Sequence, residues 1–273
     1  MSNIFLYKKP SQICELPDKW NKHFESGSFV NSYKQYIKDT IKTQGLCLRL
    51  AVNDDILAVD ELIKRCYPPA ALRDSNPYDY YRFITYGHGL IVETNEKKVI
   101  GCLFEEGYDT PDRTSYSLRL AIDDTIKTKD IGTLMVEYST LLALERGSKI
   151  KRGLLVTDTF ISAHILINKL GWICESFHAD MKWIAPSFVI NIPLTIEQFA
   201  YNRIDMDRLI NHLTTIKEGT DFRLVDYNDF TGLEELFTKN DFIISAMLWP
   251  GAFNNNVHKY VAFPTEQLAL GGL

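Results

Sequence analysis

Hydrophobic and polar positions change period several times along the chain, and each change marks an element. Near the N-terminus, FVNSYKQYIKDTIKT places Val30, Tyr33, Tyr36, Ile37 and Ile41 at helical spacings, with Lys34, Lys38 and Lys42 among them. That spacing predicts a helix with an apolar side packed on the main domain and a solvated basic side. At Leu46 the period shortens. LCLRLAV reads as a strand, and NDDILAVDELIKRCYPP as a helix with Ile56, Val59, Leu62, Ile63 and Cys66 on one side. Asn53 or Asp54 is its natural N-cap, and the two prolines stop it.

ALRDSNPYDYYRFITYGH is aromatic and polar together, which suits a short helix or loop lying over a ligand cleft or capping the core. GLIVETN and KVIGCLFEEGY, joined through Glu96 and Lys97, read as a hairpin. SYSLRLAID is a further strand. RGLLVTDTF, ISAHILINKLG and WICESFHADMKWIA then read as strand, helix and strand. This order predicts a mixed α/β sheet. After Pro186, IEQFAYNRIDMDRLINHLTTIKEG reads as one or two helices stopped at Gly219. FRLVDYNDFTGLEELFTKN then repeats an earlier plan, with Arg49, Leu50, Asp55, Glu61 and Leu62 recurring at equal spacing as Arg223, Leu224, Asp229, Glu235 and Leu236.

The stretch RLAIDDTIKTKDIGTLMVEYSTLLALERG, residues 119–147, is a strand that empties through a polar turn into a helix starting near Gly132 or Thr133. Such a junction turns unpaired N–H groups and the positive end of the helix dipole toward one point, which suits a pyrophosphate. Composition narrows the rest. With 45% hydrophobic residues in 273, the chain fills a genuine core. A net charge of -5 argues against a nucleic-acid partner. The five cysteines form neither a CxxC pair nor a cysteine-histidine cluster, which points to a reducing cytoplasm and no metal. MSNIFLYKKPSQ lacks the apolar core of a signal peptide, and no apolar run approaches the length of a bilayer. A soluble, cytoplasmic protein without a membrane partner is expected.

With that order in hand, Leu46 to Ala185 resembles the GNAT superfamily of acyl-CoA-dependent N-acyltransferases. The family pattern in the loop after its fourth strand is Arg or Gln, two residues, Gly, one residue, then Gly or Ala. Here it meets Lys127, Thr128, Lys129, Asp130, Ile131 and Gly132, with Lys127 for the arginine and Asp130 for the middle glycine. The second pattern, Asn, two residues, Ala, two residues, Leu-Tyr, three residues, Gly-Phe, meets Phe160, Ala163, Leu166, Ile167, Gly171 and Trp172. The resemblance implies an α/β fold, a GNAT-like mixed, mostly antiparallel central sheet flanked by helices. Residues 1–45 would be an N-terminal helical addition, 46–185 the acyltransferase domain, and 186–273 a C-terminal α/β extension or truncated second unit.

It further implies acetyl-CoA or another acyl-CoA as donor, with no metal, held by Ile122, Lys127, Thr128, Lys129, Asp130, Ile131, Gly132, Thr133, Ala163 and Ile167. Acyl carrier protein is the alternative donor, met by Lys127 and Lys129. The acceptor would be a small-molecule or peptide amine, attacking directly. Where the family usually has a tyrosine to protonate the thiolate, this chain has Ile167; where it commonly has a strand glutamate, the chain has Tyr116, Ser117 and Arg119. The remaining proton carriers are Glu105, Glu106 and His178, with His164 on the second motif's helix. The missing tyrosine and the missing strand carboxylate favour the alternative of an inactive acyl-CoA-binding or interaction module. The tail from Phe222 completes the sheet, covers an acceptor cleft, or makes a homodimer contact through IISAMLWPGAF.

Overall fold

The computed structural model describes residues 5–16, 18–24, 28–67, 76–107, 113–179, 185–196, 202–239 and 241–272. In chain order the elements begin with β1 (Phe5–Tyr7), α1 (Asp18–Phe24), α2 (Phe29–Lys42), β2 (Leu46–Leu50), α3 (Ile56–Cys66) and α4 (Pro77–Tyr86). There follow β3 (His88–Thr94), β4 (Val99–Glu106), β5 (Thr114–Ile122), α5 (Ile131–Glu145), β6 (Ile150–Val156) and α6 (Phe160–Ala163), which widens into a π-helical turn over His164–Lys169. The chain ends with β7 (Ile173–His178), β8 (Ser187–Pro193), α7 (Met206–Leu213), β9 (Arg223–Asp226), α8 (Phe230–Thr238), β10 (Phe242–Leu248), β11 (Lys259–Pro264), α9 (Thr265–Leu268) and β12 (Ala269–Gly272). It divides into a contiguous unit, Asp18–Lys151, and a split unit, Met1–Pro17 with Arg152–Leu273.

The contiguous unit is an antiparallel sheet in the order β2-β3-β4-β5, with Leu48 opposite Val92, Ile91 opposite Cys102 and Leu103 opposite Leu120. One face carries α3 and α4, whose Val59, Leu62, Ile63, Tyr80 and Phe83 cluster with Ile91, Cys102, Phe104 and Ala121. Of the aromatic stretch, Tyr80 and Phe83 cap the core, while Tyr78 and Tyr86 are exposed. Residues 68–75, including the expected stop prolines, lie outside the described set. The helix start differs from expectation. A short 3-10 turn over Asn53–Asp55 comes first, and Asp55, not Asn53 or Asp54, precedes α3. Its carboxylate accepts the Val52 N–H at 2.8 Å and grips Arg49 through two bonds of 2.7 Å. At the start of β3, Gly87 is obligatory, because a Cβ there would lie 1.8 Å from the Glu105 carbonyl oxygen.

Helix α5 lies against β4 and β5 and is itself covered by α2. That position explains why it is buried almost all round, from Ile131 through Leu141. Of the expected apolar side of α2, Tyr33, Ile37 and Ile41 are buried, together with Phe29, while Val30 and Tyr36 are half-buried; the Tyr33 hydroxyl donates to Glu137 at 2.7 Å.

In the split unit the sheet order is β6-β8-β7-β10-β11-β9, and β1 pairs with β12. Cys174 sits opposite Ile244, Ile243 opposite Phe263, and Val261 opposite Leu224. IISAMLW is thus mostly strand β10, buried along its whole length between β7 and β11. The π-helical turn has its carbonyls met one by one. Trp172 N–H reaches Leu166, the Lys9 ammonium reaches Ile167, Ile204 N–H reaches Asn168, and the Arg203 guanidinium reaches Lys169. Gly171 follows at φ +79°, where a Cβ would lie 2.6 Å from Asn202. Residues 180–184 and 197–201, parts of the expected late strand and of the expected helix after Pro186, are outside the described set.

Candidate functional site

The loop between β5 and α5 is built by side chains that hold its backbone. Asp123 closes the strand by donating its N–H to the Ile100 carbonyl at 2.8 Å. Its carboxylate accepts the N–H and hydroxyl of Thr125 at 3.1 and 2.5 Å and lies 3.3 Å from Arg65 and 3.4 Å from Lys98. Thr125 first, and Lys98 after it, hold this carboxyl below its usual range. At the far side the Gln44 amide clasps the Lys129 main chain, accepting its N–H at 2.9 Å and donating to its carbonyl at 3.0 Å.

Asp130 then stands at φ 58°, ψ 16°, in the left-handed region, and α5 begins at the next residue. An L-residue with a β-carbon rarely adopts that conformation, and Asp and Asn tolerate it best after glycine. Asp130 occupies the position where the GNAT pattern has its middle glycine. Lys127, Lys129 and Asp130 are exposed, Thr128, Ile122 and Gly132 half-buried, and Ile131 and Thr133 buried. Among the described residues the Thr133 hydroxyl, in the first turn of α5, has no hydrogen-bond partner. A constrained loop, a helix N-terminus and two exposed lysines can receive a diphosphate.

Glu105 and Glu106 diverge as neighbours on a strand must. Glu105 is fully buried, 2.6 Å from the Lys151 ammonium and 3.7 Å from His88, and accepts from the Ser139 hydroxyl. Burial alone would raise this carboxyl, yet Lys151 and His88 outweigh it and hold it below its ordinary range. Burial pulls Lys151 downward against Glu105 and pushes His88 to about 4. One Glu105 oxygen, Oε1, lacks a partner among the described residues. Glu106 is half-buried, opposite Tyr116, and 3.2 Å from the exposed Arg82.

His178 is exposed at the end of β7, 3.4 Å from the Ser176 hydroxyl. Ala163 and Ile167 are completely buried within the split unit. The loop residues thus come together as one structure, while Glu105 and Glu106, though neighbours on β4, are held by different partners. The Lys151, Ser139 and His88 partners of Glu105 escape sequence reading, although polar Thr133, Glu137, Ser139 and Thr140 inside an otherwise apolar helix signal a covered polar face. Among the described residues no group of His, Cys, Asp and Glu is arranged to hold a metal, and all five cysteines are free. Nor is any described helix long and apolar enough to cross a membrane.

No protein-family model matches the sequence, and no curated protein matches it. Solved structures do. A structure of the NatC complex bound to Gag peptide and CoA aligns at 13% identity and TM-score 0.47, over 55% of this chain and 99% of that one. The ribosomal-protein-S18-alanine N-acetyltransferase from Escherichia coli aligns at 11% identity and TM-score 0.44, over 55% and 95%. A GNAT-family acetyltransferase from Staphylococcus aureus aligns at 13% and 0.44, over 55% and 99%. The chain is similar to each over little more than half its length, and its fold class, a mixed and mostly antiparallel sheet flanked by helices, is written in its own strand pairings.

Proposed function

We propose that the chain is an acyl-CoA-dependent N-acyltransferase of GNAT type, in its simplest form an N-acetyltransferase, with residues 46–185 as the acyltransferase domain. The left-handed backbone of Asp130 carries this reading. A left-handed residue stands where a glycine would supply that conformation, which supports a backbone able to turn N–H groups toward a diphosphate. The main chain of residues 127–133, apart from the Lys129 N–H that Gln44 already accepts, would hold the donor. Lys127 and Lys129 offset the charge of Asp130, the Thr133 hydroxyl is free to bond, and Ile122 flanks the loop; Ala163 and Ile167 belong to the second pattern. Acyl-CoA would supply a thioester whose carbonyl carbon accepts the amine nitrogen, with CoA leaving as the thiol.

The chain's own contribution is positioning, exclusion of water and removal of the ammonium proton. Glu106 is assigned that proton: it is half-buried, and its partner Arg82 is itself exposed. Glu105 is engaged by Lys151, which lowers its basicity and makes it a positioning residue. His178 is the alternative carrier. The acceptor is a small-molecule or peptide amine.

Release of free thiol from acetyl-CoA across a panel of amines tests the reading. Glu106→Gln is expected to lower kcat by roughly 10²- to 10⁴-fold while acetyl-CoA binding is unchanged. A second reading, acyl-CoA binding without turnover, is favoured by Ile167, an apolar and fully buried side chain where the family has its proton donor. Binding without thiol release on any amine, unaffected by Glu105→Gln and Glu106→Gln, would establish that second reading instead.

A further inference from the structure

The split unit gathers five half-exposed rings at one end of its sheet. Strands β9 and β10 both pair antiparallel with β11, so the C-terminal ends of the first two meet the N-terminal end of the third. The residues just beyond those ends are Tyr227, Trp249 and His258. Tyr227 N–H donates to the His258 carbonyl at 3.2 Å. Phe160, the first residue of α6, stacks on His258 with centroids 3.7 Å apart and meets Tyr227 edge-on at 4.9 Å. Trp249 lies 4.9 Å from His258 and 5.4 Å from His164, one helical turn beyond Phe160. All five rings are half-buried, not core.

The cluster is held from below. Buried Asn255 donates to the carbonyls of Trp249 and Val257 at 2.9 and 2.7 Å and accepts the Phe253 N–H at 2.9 Å, fixing the loop that joins β10 to β11. Within this built arrangement, His258 Nε2 is buried and has no hydrogen-bond partner among the described residues. Burial pushes the imidazole below its usual range, so at neutral pH it is uncharged and does not repel a cation. Of the charged residues flanking the rings in sequence, Asp158, Asp226, Asp229 and Lys259, the lysine is paired with Asp226 at 2.7 Å, which leaves a carboxylate excess.

We propose that this ring cluster binds an organic ammonium, its charge against the aromatic faces and one N–H donated to His258 Nε2. Ring quadrupoles attract a cation, and the unpartnered imidazole nitrogen gives it a direction that an apolar ligand would not use. The ammonium comes from either a free alkylamine or a peptide N-terminus, which share this chemistry. The site stands without the acyl donor, so its failure and that of acyl-CoA binding are separate results; an amine that binds here is the first acceptor to assay.

The test is histidine-ring NMR of the full chain at neutral pH, titrated with butylammonium, with a short peptide bearing a free N-terminus, and with 1-butanol as the uncharged analogue. The His258 resonance is expected to move with one or both ammonium ligands and not with 1-butanol. Trp249→Leu should weaken the response roughly threefold to thirtyfold. Unchanged resonances of His212, on α7 of the same unit, report that the variant is folded, and Tyr227→Leu replaces it if it is not. A response to the peptide alone identifies a terminal amine as the ligand, and a response to butylammonium alone a free one. No response to either ammonium into the tens-of-millimolar range, or an equal response to 1-butanol, overturns the proposal.

Discussion

Each unit buries a lysine, and the two do so in opposite ways. Lys151, completely enclosed in the contiguous unit, has the Glu105 carboxylate 2.6 Å away and the Ser139 hydroxyl at 2.8 Å. Lys9, 1% exposed in the split unit, sits on the neutral carbonyl of Ile167, and burial lowers its pKa from 10.5 to about 7. A buried ammonium keeps its charge when a carboxylate shares the site and gives it up readily when only a carbonyl does. One lysine is an ion-pair member and the other a switchable hydrogen-bond donor to a helix end.

Three perturbations test that contrast. The largest effect is expected from Glu105→Gln, which strands the Lys151 charge in the interior; the loss should be about 3–5 kcal/mol by denaturant unfolding. A loss below about 1 kcal/mol would mean that the lysine shed its proton instead, as Lys9 does. Next comes the pH dependence of Lys9. Between about 7 and 10.5 the unfolded chain holds a proton that the folded chain has released, so stability rises with pH across that window. The Lys9 contribution to the slope approaches about 1.4 kcal/mol per pH unit, and it should vanish in Lys9→Met. An unchanged slope in that variant would show that Lys9 is charged after all. The smallest effect is expected from Glu105→Gln combined with Lys151→Met, which removes both charges and should return to within about 1–2 kcal/mol of the parent.

Neither lysine's setting was legible in the sequence, because each depends on partners far along the chain: Glu105 for Lys151, and the widened turn at Ile167 for Lys9. Elements governed by local pattern were legible. The helix bearing Tyr33, Ile37 and Ile41, the hairpin through Glu96 and Lys97, and the strand and helix around Arg49 and Leu62 all follow from period and turn chemistry. The internal repeat shows where such reading stops. Both copies form strand, turn and helix, yet Asp55 clamps Arg49 while Asp229 caps α8 through the Gly232 N–H at 2.9 Å. The strand orders differ as well. Among the described residues two helices, α3 and α4, separate β2 from β3, which returns antiparallel and pairs with it; one helix, α8, separates β9 from β10, which runs the same way, and β11 takes the place between them. For the candidate site, the position of the loop was legible from the strand, polar turn and single glycine. The φ of Asp130 was not, since an aspartate in the sequence does not announce a left-handed backbone.

That backbone is where the proposed donor site is most exposed to test. Asp130→Gly keeps the left-handed turn, relieves a strain of roughly 1–2 kcal/mol that the glycine's greater freedom in the unfolded chain partly offsets, and removes a carboxylate from beside the expected diphosphate. Isothermal titration of the parent and of Asp130→Gly with acetyl-CoA is the most direct measurement. Both proteins are expected to bind, the glycine variant about fivefold more tightly. No detectable binding of acetyl-CoA or of longer acyl-CoAs by either protein would contradict it.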